Sequence, residues 1–252
     1  MAMAGRRFEE LDALRGIAAL WVVCFHLTFG LSHLWLHDRP MLRDAITPFA
    51  INLEGLLAVD LFFVISGFVI LMTVERSRTV LDFVASRFSR LFPVYWIAVV
   101  ISTVTGILIP SARVPVTLNQ GIVNLTMLQD YIGVPAVDPS YWSLSVELGF
   151  YGLMAAALLA NQRHRIVIIG FAWVIFGFLA THILPALGIV LPWRVSTALA
   201  LAHASLFYSG MLFYRIRTNG FSWWRAGGIA CCFAMRIAFL LTHFPQPLGY
   251  DT

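Results

Sequence analysis

Arg15 and His26 stand eleven residues apart in one apolar stretch. At 100° per residue that separation returns to within about 20° of the starting direction, so a guanidinium and an imidazole share one helical face, roughly 16 Å apart along the axis. Ala19 and Val22 lie on the same face, and Gly16, Ala18 and Ala19 leave room for a groove. Such a pair suits a long ligand, with its phosphates at the membrane surface near Arg15 and its reactive end at His26. The spacing equally suits a snorkelling interfacial arginine and a hydrogen-bonded core histidine.

Asp60 and Glu147 each fall about two turns inside later apolar segments. Both belong, with His26, to the outer half of the membrane, a depth at which a carboxylate can orient or polarise an imidazole. The bland alternative is a charge favoured near a helix N-terminus, with Ser143 capping the helix that carries Glu147. Arg87 and Arg90, at i and i+3, have the spacing to clamp an anionic phosphate, although lipid headgroups would satisfy them as well. His182, His203, His243 and Arg236 read as packing or tuning residues.

These groups need elements that hold them at depth, and composition says what kind. Of 252 residues 60% are hydrophobic and 12% charged, and the mean hydropathy is +0.82. So much apolar surface cannot be hidden in one soluble core. Long apolar runs, without the alternation of a barrel, recur near the roughly 20 residues that cross a bilayer as a helix. We therefore expect an all-α transmembrane bundle of about seven spans: Leu11–Leu34, Glu54–Val74, Pro93–Ile109, Trp142–Ala160, Arg165–Leu184, Ser196–Tyr214 and Ser222–Phe244. Thr79–Phe92 has Val80, Phe83, Val84, Phe88 and Leu91 at helical spacing opposite Arg87 and Arg90, the pattern of an interfacial amphipathic helix. Gly121–Asp130 is apolar but too short to span, which points to a re-entrant or surface segment.

No repeat, linker or second soluble domain is visible, so residues 1–252 read as one membrane domain. The formal charge of +4 comes from arginines in short clusters between apolar runs, not from a basic stripe or tail, so no nucleic-acid partner is expected. Those clusters, at Arg6 and Arg7, Arg76 to Arg90, Arg163 and Arg165, and Arg215 to Arg225, fall on one side of the seven-span arrangement. The positive-inside rule then makes the N-terminus cytoplasmic. Glu9, Glu10 and Asp12 precede a full-length apolar span with no small-residue cleavage site, so the first span should be retained. Cys24, Cys231 and Cys232 lack a CxxC or metal spacing and read as packing residues, and no metal site is expected.

Four strings carry a resemblance. LDALRGIAALWVVCFH holds Arg15 and His26 with ten residues between; VDLFFVISGFVI holds Asp60, Phe62, Phe63, Ser66, Gly67 and Phe68. RFSRLFPVYW holds Arg87, Arg90, Pro93, Tyr95 and Trp96; YWSLSVELGFY holds Trp142, Ser143, Leu144, Glu147, Phe150 and Tyr151. In this order over Leu11–Tyr151 they resemble the acyltransferase-3 family. The resemblance implies transfer of an acyl group, often acetyl, from cytoplasmic acyl-CoA to a hydroxyl of a carbohydrate, glycolipid or other cell-surface acceptor at the bacterial inner membrane. It implies His26, Glu147 and Asp60 as the catalytic group, and Arg15, Arg87 and Arg90 as donor-binding residues. Trp142, Ser143, Tyr151 and Ser66 follow as acceptor-binding residues, and acyl-CoA is a co-substrate with no tightly bound cofactor. Members have about ten spans, so this chain reads as C-terminally shortened, lacking the last helices. Two other classes stay open: a transporter or flippase of an acyl donor or glycolipid, since buried ionisable groups also line translocation paths, and an inactive truncated membrane partner.

Overall fold

The computed structural model describes residues 9–30, 52–109 and 116–243, and every regular element among them is a helix. In chain order these are α1 (Glu9–Gly30), α2 (Asn52–Arg76), α3 (Val80–Leu108), the short α4 (Leu118–Asn124) and α5 (Gln129–Ile132), and α6 (Trp142–Leu159). Then come α7 (Ile166–Phe178), the short α8 (Trp193–Ala198), α9 (Ala204–Asn219) and α10 (Trp223–His243). A π-helical turn, Leu179–Ile183, prolongs α7. The chain forms two compact units, Met1–Ser66 and Gly67–Thr252, with the two halves of α2 contributing to one each.

Five stretches among the described residues are long and apolar enough to cross a membrane: Leu57–Arg76, Val80–Leu108, Pro139–Leu159, Arg163–Ala186 and Trp223–Thr242. The expected count of seven is not reached among the described residues, because the expected first span, Leu11–Leu34, lies partly outside them and the sixth is interrupted; one further boundary also differs. The segment expected as a separate interfacial helix, Thr79–Phe92, runs straight into the expected third span as one 29-residue helix, α3. Pro93 deprives the Ser89 carbonyl of its partner without breaking that helix. At 1.5 Å per residue α3 is about 43 Å long, more than the hydrocarbon core needs, so one element has length for a crossing and an interfacial extension. Its start is fixed by a capping box, in which the Thr79 hydroxyl accepts from Asp82 N at 3.1 Å and the Asp82 carboxylate accepts from Thr79 N at 2.9 Å. The expected sixth span is interrupted instead. Ala200 takes a left-handed conformation (φ +47°) between α8 and α9, and the Trp173 indole donates to the Leu199 carbonyl at 2.7 Å beside the break.

The larger unit packs around α9, whose residues Ala204 to Leu212 are all buried. Phe150 of α6, fully buried, stacks between Trp173 of α7 (5.5 Å between centroids) and Phe207 of α9 (4.2 Å). Gly67 of α2 lies so close to the Phe207 carbonyl that a Cβ there would overlap it. The glycine of the Ser-Gly-Phe string thus lets two helix backbones meet. At the other end of this contact Glu75 of α2 accepts from the Tyr214 hydroxyl at 2.8 Å and pairs with Arg215. Conversely, α3, α7 and α10 expose rows of large apolar side chains, among them Val94, Ile97, Ile101, Ile168 and Leu241, a surface suited to lipid.

The apolar Gly121–Asp130 segment forms no span, as its length implied: it is the end of α4, a turn with fully buried Met127 at φ +60°, and the start of α5. Tyr95 and Trp96 of the Pro-x-Tyr-Trp string hold it against α3, the phenol donating to the Asn124 carbonyl at 2.7 Å and the indole to that of Leu125 at 2.9 Å.

Gly67→Ala should force α2 and α9 apart and destabilise the fold by about 1–3 kcal/mol or more. The check is thermal unfolding of the detergent-purified variant, expected to melt well below wild type.

Candidate functional site

In a membrane helix a lone guanidinium needs partners, and those of Arg87 define the best-formed site among the described residues. Its side chain is 7% exposed and points inward from α3. One terminal nitrogen donates to the Thr73 hydroxyl at 2.7 Å, and that hydroxyl in turn donates to the Val69 carbonyl at 2.8 Å. Thr73 is therefore spent as a donor inside its own helix, which leaves its lone pairs turned to Arg87. On the other side the guanidinium sits beside the Tyr151 phenol and within electrostatic reach of Glu147 and Arg90. Tyr151 donates to Oε1 of Glu147, one turn earlier on α6, at 2.8 Å. The Nε of Arg87 is buried with no hydrogen-bond partner among the described residues.

This network borders a cavity of about 530 Å³ between α3 and α6, within the size range of small-molecule sites. Phe83, Val84, Phe88 and Phe92 of α3 line it with Leu148 of α6 and Leu128 of the turn before α5. Its polar lining includes Arg87, Tyr151 and Tyr131. Tyr131 donates to the Ser145 carbonyl, and burial with the Asp130 carboxylate nearby pushes its phenol up to about 12, so it stays a donor at neutral pH. The glycines of α6 differ here. A Cβ on Gly149 would meet the Ala198 carbonyl oxygen at 2.6 Å, whereas one on Gly152, which lines the cavity, would meet nothing within 4 Å.

The structure thus brings Arg87, Glu147 and Tyr151 together. Arg90, three residues on, is exposed, within electrostatic reach of Arg87 and Tyr151. The expectation that Arg87 lies opposite the apolar side of its segment is corrected: Phe83 and Arg87 point inward, while Val84 and Phe88 are each 44% exposed. In lipid it is the polar side chain that must be buried against protein.

Arg15 and His26 lie on the uninterrupted helix α1, which preserves their shared face. Arg15 pairs with Asp12 at 3.7 Å, and His26 is exposed, its ring edge-on to Phe25 with centroids 5.3 Å apart. Asp60 and Ser66 of α2 are buried. Trp142 lies against His203 (5.5 Å between centroids) and away from the Arg87 cavity lining. Ser143 is not the cap of α6: a 3-10 turn starting at Pro139 precedes that helix, Asp138 caps the turn through Ser140 N at 2.8 Å, and Ser143 donates to the Ser140 carbonyl at 3.2 Å. Arg236, expected as a tuning residue, is buried over the Phe239 ring at 4.9 Å. Cys232 is buried as expected, whereas Cys24 and Cys231 are exposed.

Thr73, Tyr131 and Gly152 went unnoticed in the sequence. A lone threonine fourteen residues before an arginine, or a glycine in a helix, carries no local signal; only the packing of α2, α3 and α6 gives them roles.

A family model described as an acyltransferase domain matches residues 8–251. The chain belongs to the acyltransferase-3 family. It is 32% identical over 126 residues to the exopolysaccharide production protein ExoZ of Rhizobium meliloti, covering 46% of this chain and 38% of that protein. To the acyltransferase MdmB of Streptomyces mycarofaciens it is 28% identical over 155 residues, covering 58% of this chain and 38% of the relative. To the peptidoglycan O-acetyltransferase OatA of Listeria monocytogenes it is 25% identical over 168 residues, covering 60% and 24%. The matched stretches therefore span about two-fifths or less of these relatives. No solved structure matches.

Thr73→Val keeps the shape of the side chain but removes the acceptor for Arg87. A hydrogen bond to a charged group is worth about 1.5–3 kcal/mol, so unfolding of the purified variant should shift by that order, and Tyr151→Phe, which removes a donor to the Glu147 carboxylate, should show a loss of the same order.

Proposed function

We propose that this acyltransferase-3 protein is a membrane O-acyltransferase that moves an acyl group, often acetyl, from acyl-CoA to a hydroxyl of a carbohydrate, glycolipid or other cell-surface acceptor. The observation that carries the reading is a buried guanidinium, tied to a carboxylate through Tyr151, on the wall of a cavity in a chain of this family. Arg87 receives the donor from inside the bundle, and Arg90 and Arg15 add positive charge for its phosphates. No tightly bound cofactor is required; acyl-CoA is consumed as co-substrate.

In the proposed reaction His26 acts as general base. Its neutral imidazole takes the proton of the acceptor hydroxyl as that oxygen attacks the thioester carbonyl; the C–O bond forms, the C–S bond breaks, and the proton passes to the departing thiolate. Asp60 or Glu147 fixes the tautomer of His26. Trp142, Ser143, Tyr151 and Ser66 complete the acceptor side. Two of the named relatives, an exopolysaccharide production protein and a peptidoglycan O-acetyltransferase, support a glycan as acceptor.

We place the protein in the bacterial inner membrane with the N-terminus cytoplasmic. The gathering of arginine-rich helix ends supports this: Arg215 at the end of α9 meets the end of α2, and Arg78 before α3 lines a polar cavity with Arg163 after α6.

The test is release of free CoA by the purified protein from acetyl-CoA with a panel of glycan acceptors. Wild type should consume thioester only when acceptor is present, which a transporter would not do. His26→Ala should lower turnover at least about a hundredfold, the usual contribution of a general base, while inserting normally. Arg87→Ala should raise the KM for acyl-CoA more than it lowers kcat; an unchanged KM would reject its role in donor binding.

A further inference from the structure

Two arginines at one end of the larger unit face the same space. Arg78, before α3, and Arg163, after α6, line a polar cavity of about 400 Å³ with Thr79, Val80, Leu158 and Asn161. Among the described residues neither guanidinium makes a hydrogen bond or an ion pair, and no carboxylate lines the cavity. The two acids of the larger unit at this end are engaged elsewhere: Asp82, which feels Arg78, accepts from Thr79 N in the capping box, and Glu75 holds Arg215 and Tyr214. None can come from the other wall, because the sequence has no Asp or Glu from Leu148 to Tyr250. Asn161 adds a free donor. It closes α6 in a Schellman turn, at φ +56°, with its own N–H on the Leu158 carbonyl and that of Gln162 on the Ala157 carbonyl. Glycine takes that conformation more cheaply, and asparagine sets a carboxamide on the cavity wall instead. The hydrocarbon begins at once beyond: Leu81 and Leu159, next in sequence to the lining residues Val80 and Leu158, are 79% and 74% exposed.

We propose that this cavity binds the headgroup of an anionic phospholipid from the leaflet at the arginine-rich end of the bundle. Arg78 and Arg163 share its phosphate, the Asn161 carboxamide meets its glycerol oxygens, and its acyl chains lie against Leu81 and Leu159. Guanidinium groups suit phosphate because they offer paired N–H donors as well as charge, and basic pockets between membrane helices are suited to anionic headgroups. A zwitterionic headgroup would bring its own cation against two others. The volume, within the range of small-molecule sites, has room for a phosphoglycerol and not only for a bare ion. Such a lipid ties the start of α3 to the end of α6, the two helices that hold Arg87 and Tyr151 about two to three turns deeper. The proposal does not depend on the acyl-transfer reading.

The experiment titrates the detergent-purified full chain with dioctanoyl phosphatidylglycerol and with dioctanoyl phosphatidylcholine, which carries the same chains under a zwitterionic head. Bound lipid is read by native mass spectrometry, and thermal unfolding is followed on the same samples. Wild type should bind the anionic lipid at least about fivefold more tightly and melt higher in its presence. Arg78→Gln and Arg163→Gln should each weaken that binding about fivefold, and together about thirtyfold. Arg165→Gln, which removes the same charge two residues away from an exposed side chain outside the cavity lining, should change it less than about twofold. Asn161→Gly keeps the turn, so without lipid it should melt at or above wild type, yet bind the anionic lipid about threefold more weakly. Equal binding of the two lipids by wild type, or the same loss in Arg165→Gln as in Arg163→Gln, would mean general attraction to charge and overturn the proposal. If inorganic phosphate or free CoA binds wild type as tightly as the anionic lipid and is lost in the same variants, the cavity takes a soluble phosphate and the proposal falls.

Discussion

A charge that cannot leave the apolar phase organises the larger unit. Arg87 sits two turns into a helix whose composition belongs in lipid, where insertion of a bare guanidinium costs at least about 2.5 kcal/mol. The chain answers by turning that side chain inward and surrounding it with oxygen: the Thr73 hydroxyl from α2, and the phenol of Tyr151 with the carboxylate of Glu147 behind it from α6. The first turns of α3 are thereby tied to the last turns of α2 and to the middle of α6. Removing a partner from such a set leaves a buried ion exposed to its full desolvation cost.

The same constraint inverts the pattern familiar from soluble helices. In α3 the apolar Val84 and Phe88 stay half-exposed at the open side of the cavity while Arg87 is buried, because lipid accepts the first two and rejects the third. With little hydrophobic force between helices in such a solvent, close contact comes from shape. Gly67 lets α2 touch the Phe207 carbonyl of α9, and Phe150 fills the space between Trp173 and Phe207. Two residues of the Pro-x-Tyr-Trp string act as clasps, holding the short helices α4 and α5 on the flank of α3. Not every residue in a family string is therefore chemical: Tyr95, Trp96, Gly67 and Phe150 build the frame in which Arg87, Glu147 and Tyr151 meet.

Family membership and geometry point the same way but at different resolution. The acyltransferase domain covers nearly the whole chain, while the matched relatives are considerably longer than the shared stretch. Within the larger unit the network around Arg87 has its own cavity, its own carboxylate and an apolar wall. The histidine that the acyl-transfer reading needs lies on α1, in the smaller unit.

The sequence by itself determined the solvent and hence the class of fold. Sixty per cent apolar residues in long unalternated runs permit only lipid-embedded helices, because backbone polar groups in hydrocarbon must pair within their own segment. Four strings with fixed internal spacing also determined the family, and the 3.6-residue period determined that Arg15 and His26 share a side of α1. Which segments break and which run on was decided by tertiary structure. Pro93 did not end α3, since a helix tolerates one missing donor when its neighbours hold it, whereas the Ser196–Tyr214 run broke at Ala200, beside the Leu199 carbonyl that Trp173 engages. The burial of Arg87, the part played by Thr73 and the open space at Gly152 were likewise tertiary decisions. Each depends on what a neighbouring helix places opposite, and a linear pattern records the direction a side chain takes from its own helix, not what it finds there.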